Sequence, residues 1–511
     1  MKKLTLFLLS LLTLTVTATN YYVAVNGNDN NSGTLNKPWA TWEKAFTSTL
    51  VNAGDTVFIR GGVYNMTVKN GNGYGVTRAG SKDNWIVYTN YPSEVPILDC
   101  SDAFSTSGYN SGIGASTTSG ANYIKFKGLT VRNVKQKTDK LMIYCSGIGF
   151  ENGNFIAENC VAYNIEGIGF ESYFYNGYPD VNGNHYFINC DSYNNWNPTN
   201  PPGYLPGNKG TGFSSQNWYG TEGKAYAINC RAWNNGDQGF SWNGEHYCEA
   251  TGCWSFNNGV LQGDGHGFKL GWHNRRYNGA NVVIKNCIAA FNRASGMTTN
   301  DRDEGIATGM NIYNNTIYHN GYKGGIWNYT YGLYVYNTPD NISNEMLREF
   351  RNNISYKNQE GDIYLQNNPI YSHSNNTWDI PIKVTDSDFL SLDSTGLSSP
   401  RTNDGKLPEL NFLRPSKDSK LIDKGINVGM PFSGKSPDLG VFEYSPVITP
   451  VPIPDPEPVN PCADGSRTWI VTETIKVVRE VKGNNKTEVH IKYSNCPVKT
   501  ESRSVTISIK R

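Results

Sequence analysis

Lys269 stands in the run Gly265-His266-Gly267-Phe268-Lys269-Leu270-Gly271, followed by His273, Arg275 and Arg276. The carboxylates Asp237, Asp264 and Asp301 lie in the flanking segments. A lysine acts as a base only when uncharged, and its reference pKa of roughly 10.4 must fall for that, through desolvation or adjacent cations. Arg275 and Arg276 supply such cations, and their forked donors also grip carboxylate oxygens in bidentate fashion. Carboxylates in this number have two other uses. They can hold calcium, which asks for about six to eight oxygens, or they can work as a pair in glycoside hydrolysis.

What places these residues is a repeat. Cys160, Cys190, Cys230, Cys253 and Cys287 recur in one context, Asn-Cys-Val-Ala-Tyr-Asn in its first copy, and it continues without Cys at Asn315-Thr316-Ile317-Tyr318 and Asn353-Ile354-Ser355-Tyr356. A second word, Gly-x-Gly-Phe or a close variant, ends at Phe150, Phe170, Phe213, Phe240 and Phe268, with Gly296-Met297 and Gly325-Ile326 as looser successors. Two strand-like words alternating at roughly 20 to 45 residues signal an array whose units bury their faces on one another. The fold expected is all-β, a right-handed parallel β-helix. Phe and Cys stack inside it, and Asn and Gly take the corners that need left-handed backbone.

Neighbours in a strand alternate between faces. The residue after each Phe is therefore expected outside, in a column Glu151, Glu171, Ser214, Ser241, Lys269, Thr298. Successive coils stack about 4.8 Å apart, which makes Ser241, Lys269 and Thr298 close neighbours on one outer face. Trp218, Tyr219, Trp242, Trp254 and Trp272 offer flat rings for packing against a ligand, though several must belong to the core.

The ends bound the reading. Lys2 and Lys3, the apolar run Leu4 to Val16 and the small residues near Ala18 have the layout of a signal peptide over residues 1–19. This run is too short for a membrane span. A secreted protein is expected: periplasmic, at the cell surface or extracellular. Residues 20–445 form the β-helix with its caps: an opening strand and short helix, and a closing segment around Phe412 to Gly440. Residues 446–461 are a Pro-rich linker. Residues 462–511 alternate like a small antiparallel β module that Cys462 and Cys496 can staple. The net charge is +1, so no global field draws nucleic acid or an anionic membrane, and a monomer is expected.

The words around Lys269, with Arg231-Ala232-Trp233-Asn234-Asn235 and Asp237-Gln238-Gly239-Phe240 before it, resemble the core of family 9 polysaccharide lyases, which include pectate and rhamnogalacturonan lyases. The likeness spans about residues 20 to 445. It implies β-elimination on an acidic plant polysaccharide of the pectin group, with Lys269 as the base that removes the C5 proton of a galacturonate. Arg275, Arg276, Ser241, His273 and Trp242 are the substrate-binding residues expected beside it.

The resemblance also implies calcium, in the turn at Asp237, Gln238 and Ser241 with Thr211 from the preceding coil. Only Asp237 of these is a carboxylate, so the site is expected to be weaker, rebuilt from carbonyls and amides, or lost, with Gln238, Asp264 and Asp301 as its further candidate ligands. His266 and His273 are near enough to donate a proton to the leaving oxygen, though structural roles suit them better. Asp303, Glu304 and Asp29 are further candidates for cation binding. Two other classes compete: a hydrolase using Asp237, Asp264 and Asp301, and a carbohydrate-binding protein without turnover.

Overall fold

The computed structural model describes residues 18–67, 73–103, 111–136, 145–175, 177, 182–196, 205–218, 221–244, 247–271, 281–300, 309–323, 330–335, 347–366, 371–445, 488–495 and 499–506. The chain divides into two compact units, Met1–Pro446 and Val447–Arg511. In the second, Glu488–Asn495 pairs antiparallel with Lys499–Thr506. Residues 1–17 of the expected signal peptide, the expected linker at 446–461, Cys462 and Cys496 lie outside the described residues.

The first unit is a parallel β-helix. Among the described residues its coils contribute to three sheets of 12, 10 and 10 strands. Each strand pairs in parallel with its counterpart one coil away, as Phe240–Gly244 does with Phe268–Gly271.

Asparagine sets the corners. Asn159, Asn189, Asn229 and Asn286 turn the chain before the stacked cysteines with φ of 52° to 54°, a left-handed conformation that its short side chain tolerates. At Gly252, in the same corner, a Cβ would come within 2.4 Å of Asn229 Oδ1. Only glycine fits there.

A side-chain ladder rigidifies the next corner. Asn195, Asn235, Asn258, Asn292 and Asn320 each donate an Nδ2–H to the Oδ1 of the next, ending on Asn358, at 2.9 to 3.0 Å. The ladder is buried and meets the demand that interior amides be paired. The cysteine ladder is buried and unbridged, and from Asn315 onward asparagine takes its place, with Asn315 donating to Asn353 and Asn353 to Asn376.

The Phe column is the core of the site-bearing sheet. Phe170, Phe213, Phe240 and Phe268 stack with ring centroids 4.8 to 4.9 Å apart. Its ends depart from the expected alignment. Ile148 pairs with Phe170, so Phe150 stands one inward position further along its strand. At the other end Met297 is followed by Leu333, and Ile326 is outside the described residues.

The segment expected to cap the far end instead runs back along the outside of the third sheet. Arg401 reaches Asp191 and the carbonyls of Cys190 and Asn229. Phe412 packs on Phe291 and Tyr318 and Phe389 on Tyr356 there, in one buried cluster with Trp233, Trp254 and Phe256. At the opening end the expected helix, Trp42–Thr47, is capped by Thr41. Asp29 is spent on that turn, accepting from the Ala40 and Thr41 amides and the Thr41 hydroxyl.

Candidate active site

Phe268 and Leu270 point into the core, so Lys269 between them points out. Ser241 flanks it in register on one side and Thr298 on the other. The lysine side chain keeps 19% of its surface exposed, and its Nζ lies 2.5 Å from Asp264 Oδ2. The amine is thus fixed at the surface of the face, open to a ligand.

Three coils build its support. Asp264 N donates to Asp237 Oδ1 at 2.7 Å, and Lys209 N donates to Asp237 Oδ2 at 3.0 Å. The Gln238 amide, with its nitrogen toward Asp237, donates to Oδ1 at 2.9 Å and to Oδ2 at 2.5 Å. The Thr211 hydroxyl lies 3.3 Å from the same amide atom of Gln238.

Glycine allows the loops to approach so closely. Gly265 has φ of +79°, and a Cβ on it would strike Arg293 at 2.6 Å. Burial, and then the charge of Asp264, push the Asp237 carboxyl up to about 6. His266 is buried beside this group, and burial brings it down to about 4, which keeps its imidazole neutral at ordinary pH.

Several expected residues fall elsewhere. Trp242, expected against the substrate, is fully buried and packs on Phe240 at 5.8 Å, because alternation sends Ser241 out and Trp242 in. Ser241 does lie on the outer face, where its Oγ accepts from Asn243 Nδ2 at 2.7 Å. Trp254 is buried, in the cluster that includes the returning C-terminal segment. In the outward column, Gly149 and not Glu151 is the neighbour of Glu171, a shift of two residues. His273, Arg275, Arg276, Trp272, Tyr219, Asp301, Asp303 and Glu304 lie outside the described residues.

Among the described residues no calcium cage is assembled. Asp237 is surrounded by donors, namely two backbone N–H groups and the Gln238 amide, and Asp264 is committed to Lys269. A cation needs converging lone pairs there instead. Among the described residues no three His, Cys, Asp or Glu side chains converge as a metal site. Asp264, expected as a ligand, is the partner of the amine.

A model of the family described as "Pel9A-like, right handed beta helix region" matches residues 21–341. The chain belongs to this family. The Pel9A-like match supplies the hand of the helix. Pectate lyase L of Dickeya dadantii is 28% identical over 437 residues, covering 83% of this chain and 90% of that protein. The crystal structure of pectate lyase Pel9A superposes with a TM-score of 0.64 at 26% identity, covering 84% of this chain and 97% of the other. A rhamnogalacturonan lyase structure shares the fold with a TM-score of 0.61 at 22% identity, covering 78% of this chain and 97% of the other. Among the described residues no helix is long and apolar enough to cross a membrane.

Proposed function

We propose that the chain is a secreted polysaccharide lyase that cleaves a galacturonate-containing pectic backbone by β-elimination, with Lys269 as the base. One observation carries this reading: an outward lysine, held by a carboxylate, at the centre of the long face of a Pel9A-like helix. Relatives named as pectate lyases, at 25% to 29% identity, support the reaction class.

In this reaction Lys269 Nζ takes the C5 proton of a bound galacturonate. The electron pair forms the C4–C5 double bond, the C4–O bond to the leaving sugar breaks, and the departing oxygen takes a proton from water. Asp264 positions the amine in the resting site, and Asp237 positions Asp264 through its backbone amide. Because the working base is an uncharged amine, turnover rises toward alkaline pH.

The thin carboxylate set favours a backbone of low charge density, in which galacturonate alternates with a neutral sugar. A hydrolase would need two carboxyl groups facing each other across about 5 to 9.5 Å of open cleft, whereas Asp264 is joined to Lys269 and Asp237 is buried. Incubation with rhamnogalacturonan and with polygalacturonate tests the proposal. Products with an unsaturated, ultraviolet-absorbing end are expected. Saturated reducing ends without that absorbance would refute it.

A further inference from the structure

The outward column of Lys269 continues well beyond the lysine. Through strand register it runs Lys269, Ser241, Ser214, Glu171, Gly149, Gly114, Gly75. The last three side chains are missing by nature, and the surface sinks into a trough of about 700 Å³. Its near end, at Glu171, lies three coil steps from Lys269, about 14 Å at ordinary inter-strand spacing.

The trough floor is glycine for a reason other than backbone conformation. A Cβ added at Gly75 would meet nothing within 4 Å, and at Gly114 only the Gly149 carbonyl at 3.7 Å. These positions tolerate side chains sterically, so what glycine provides is open volume.

The walls are carboxyl and aromatic. Glu151 pairs in register with Tyr173 and accepts from the Ser116 hydroxyl at 3.1 Å. Tyr173 and Tyr175 lie with ring centroids 4.2 Å apart, and Tyr175 is exposed. No Lys or Arg is among the described lining residues. Burial raises both carboxyls, Glu171 to about 7 with the charge of Glu151 adding to the effect.

A uronate in this trough would face two acidic groups and no described cation. A neutral sugar suits it better: carboxyl groups pair with its hydroxyls, and tyrosine faces pack on its C–H surface. We propose that this glycine-floored trough is a remote subsite of the same groove that binds an uncharged sugar unit of the polymer. The inference rests on the pectic-lyase reading for the identity of that polymer.

Gly114→Trp is the test, since it fills the trough from an open floor position. In a Lys269→Ala background, where no turnover intervenes, calorimetry compares a neutral galacto-oligosaccharide with an oligogalacturonate of equal length. Gly114→Trp is expected to weaken the neutral ligand at least about tenfold and to leave the oligogalacturonate unchanged, with an unaltered melting temperature. Glu171→Gln, a near-isosteric change, is expected to weaken the neutral ligand alone. Equal binding of the neutral ligand with and without the tryptophan, or none in either protein, would overturn the subsite. Because the readout is binding, a failure of Lys269 as the base shows separately, as turnover persisting in Lys269→Ala.

Discussion

At the scale of single residues, the site is an amine whose position is set by a carboxylate, which is itself set by a second, buried carboxylate. Lys269 was legible in the sequence because it follows a column-forming Phe. Its partner was not, since Asp264 reads equally as a ligand, and only the loop geometry directs it to Nζ at 2.5 Å. Trp242 misled for a simple reason: one residue past an outward Ser, its large ring belongs to the core. Two predictions belong here. Asp264→Asn is expected to lower kcat roughly 10- to 100-fold with little change in KM, as befits a positioning role. Asp237→Asn is expected to lower kcat, with parent and variant responding alike when calcium is titrated back after chelation. A rightward shift of that titration would instead make Asp237 a ligand.

At the scale of elements, the corners carry the burden that helices and long strands carry elsewhere. The recurring Asn-Cys words revealed a repeat, but the asparagine that matters most stands just after each word, and its ladder appears only when coils are stacked in register. Asn258 both donates to Asn292 and accepts from Asn235. Asn258→Ala therefore strands buried amide groups on two neighbouring coils, at about 1 to 3 kcal/mol for each unsatisfied group. A lowered thermal midpoint, with strand content retained by circular dichroism at low temperature, is the expected outcome. Register also decided where the outward column ran: the two-residue offset that puts Gly149 beside Glu171 is invisible when words are aligned by their Phe.

At the scale of the whole molecule, a single interior runs the length of the helix, and its buried titratable groups make its stability depend on pH. His185 is fully buried, with one ring nitrogen 2.8 Å from the Ser172 hydroxyl and the other 3.1 Å from the Asn152 carbonyl. Burial brings its pKa down to about 3. The unfolded chain then binds the proton first, so the histidine's contribution is present above about pH 6.5 and is lost as pH falls toward 3. By about pH 4.5 the loss is roughly 2 to 3 kcal/mol. His185→Gln is expected to be less stable than the parent at neutral pH but to show a flatter acid limb in denaturant titrations. An unchanged acid limb would mean that the histidine charges without cost.

The parallel architecture was legible because two words that alternate along the chain at a shared interval mark an array of stacked units. The returning C-terminal segment was not, because Arg401 meets Asp191 across more than 200 positions of chain, which no local pattern encodes. The most direct measurement of the central claim is the initial rate of ultraviolet absorbance on pectic polymer for Lys269→Ala against the parent, with binding of an oligogalacturonate followed alongside. A fall in rate of at least about a thousandfold with binding retained is predicted. A rate within a few-fold of the parent would contradict it.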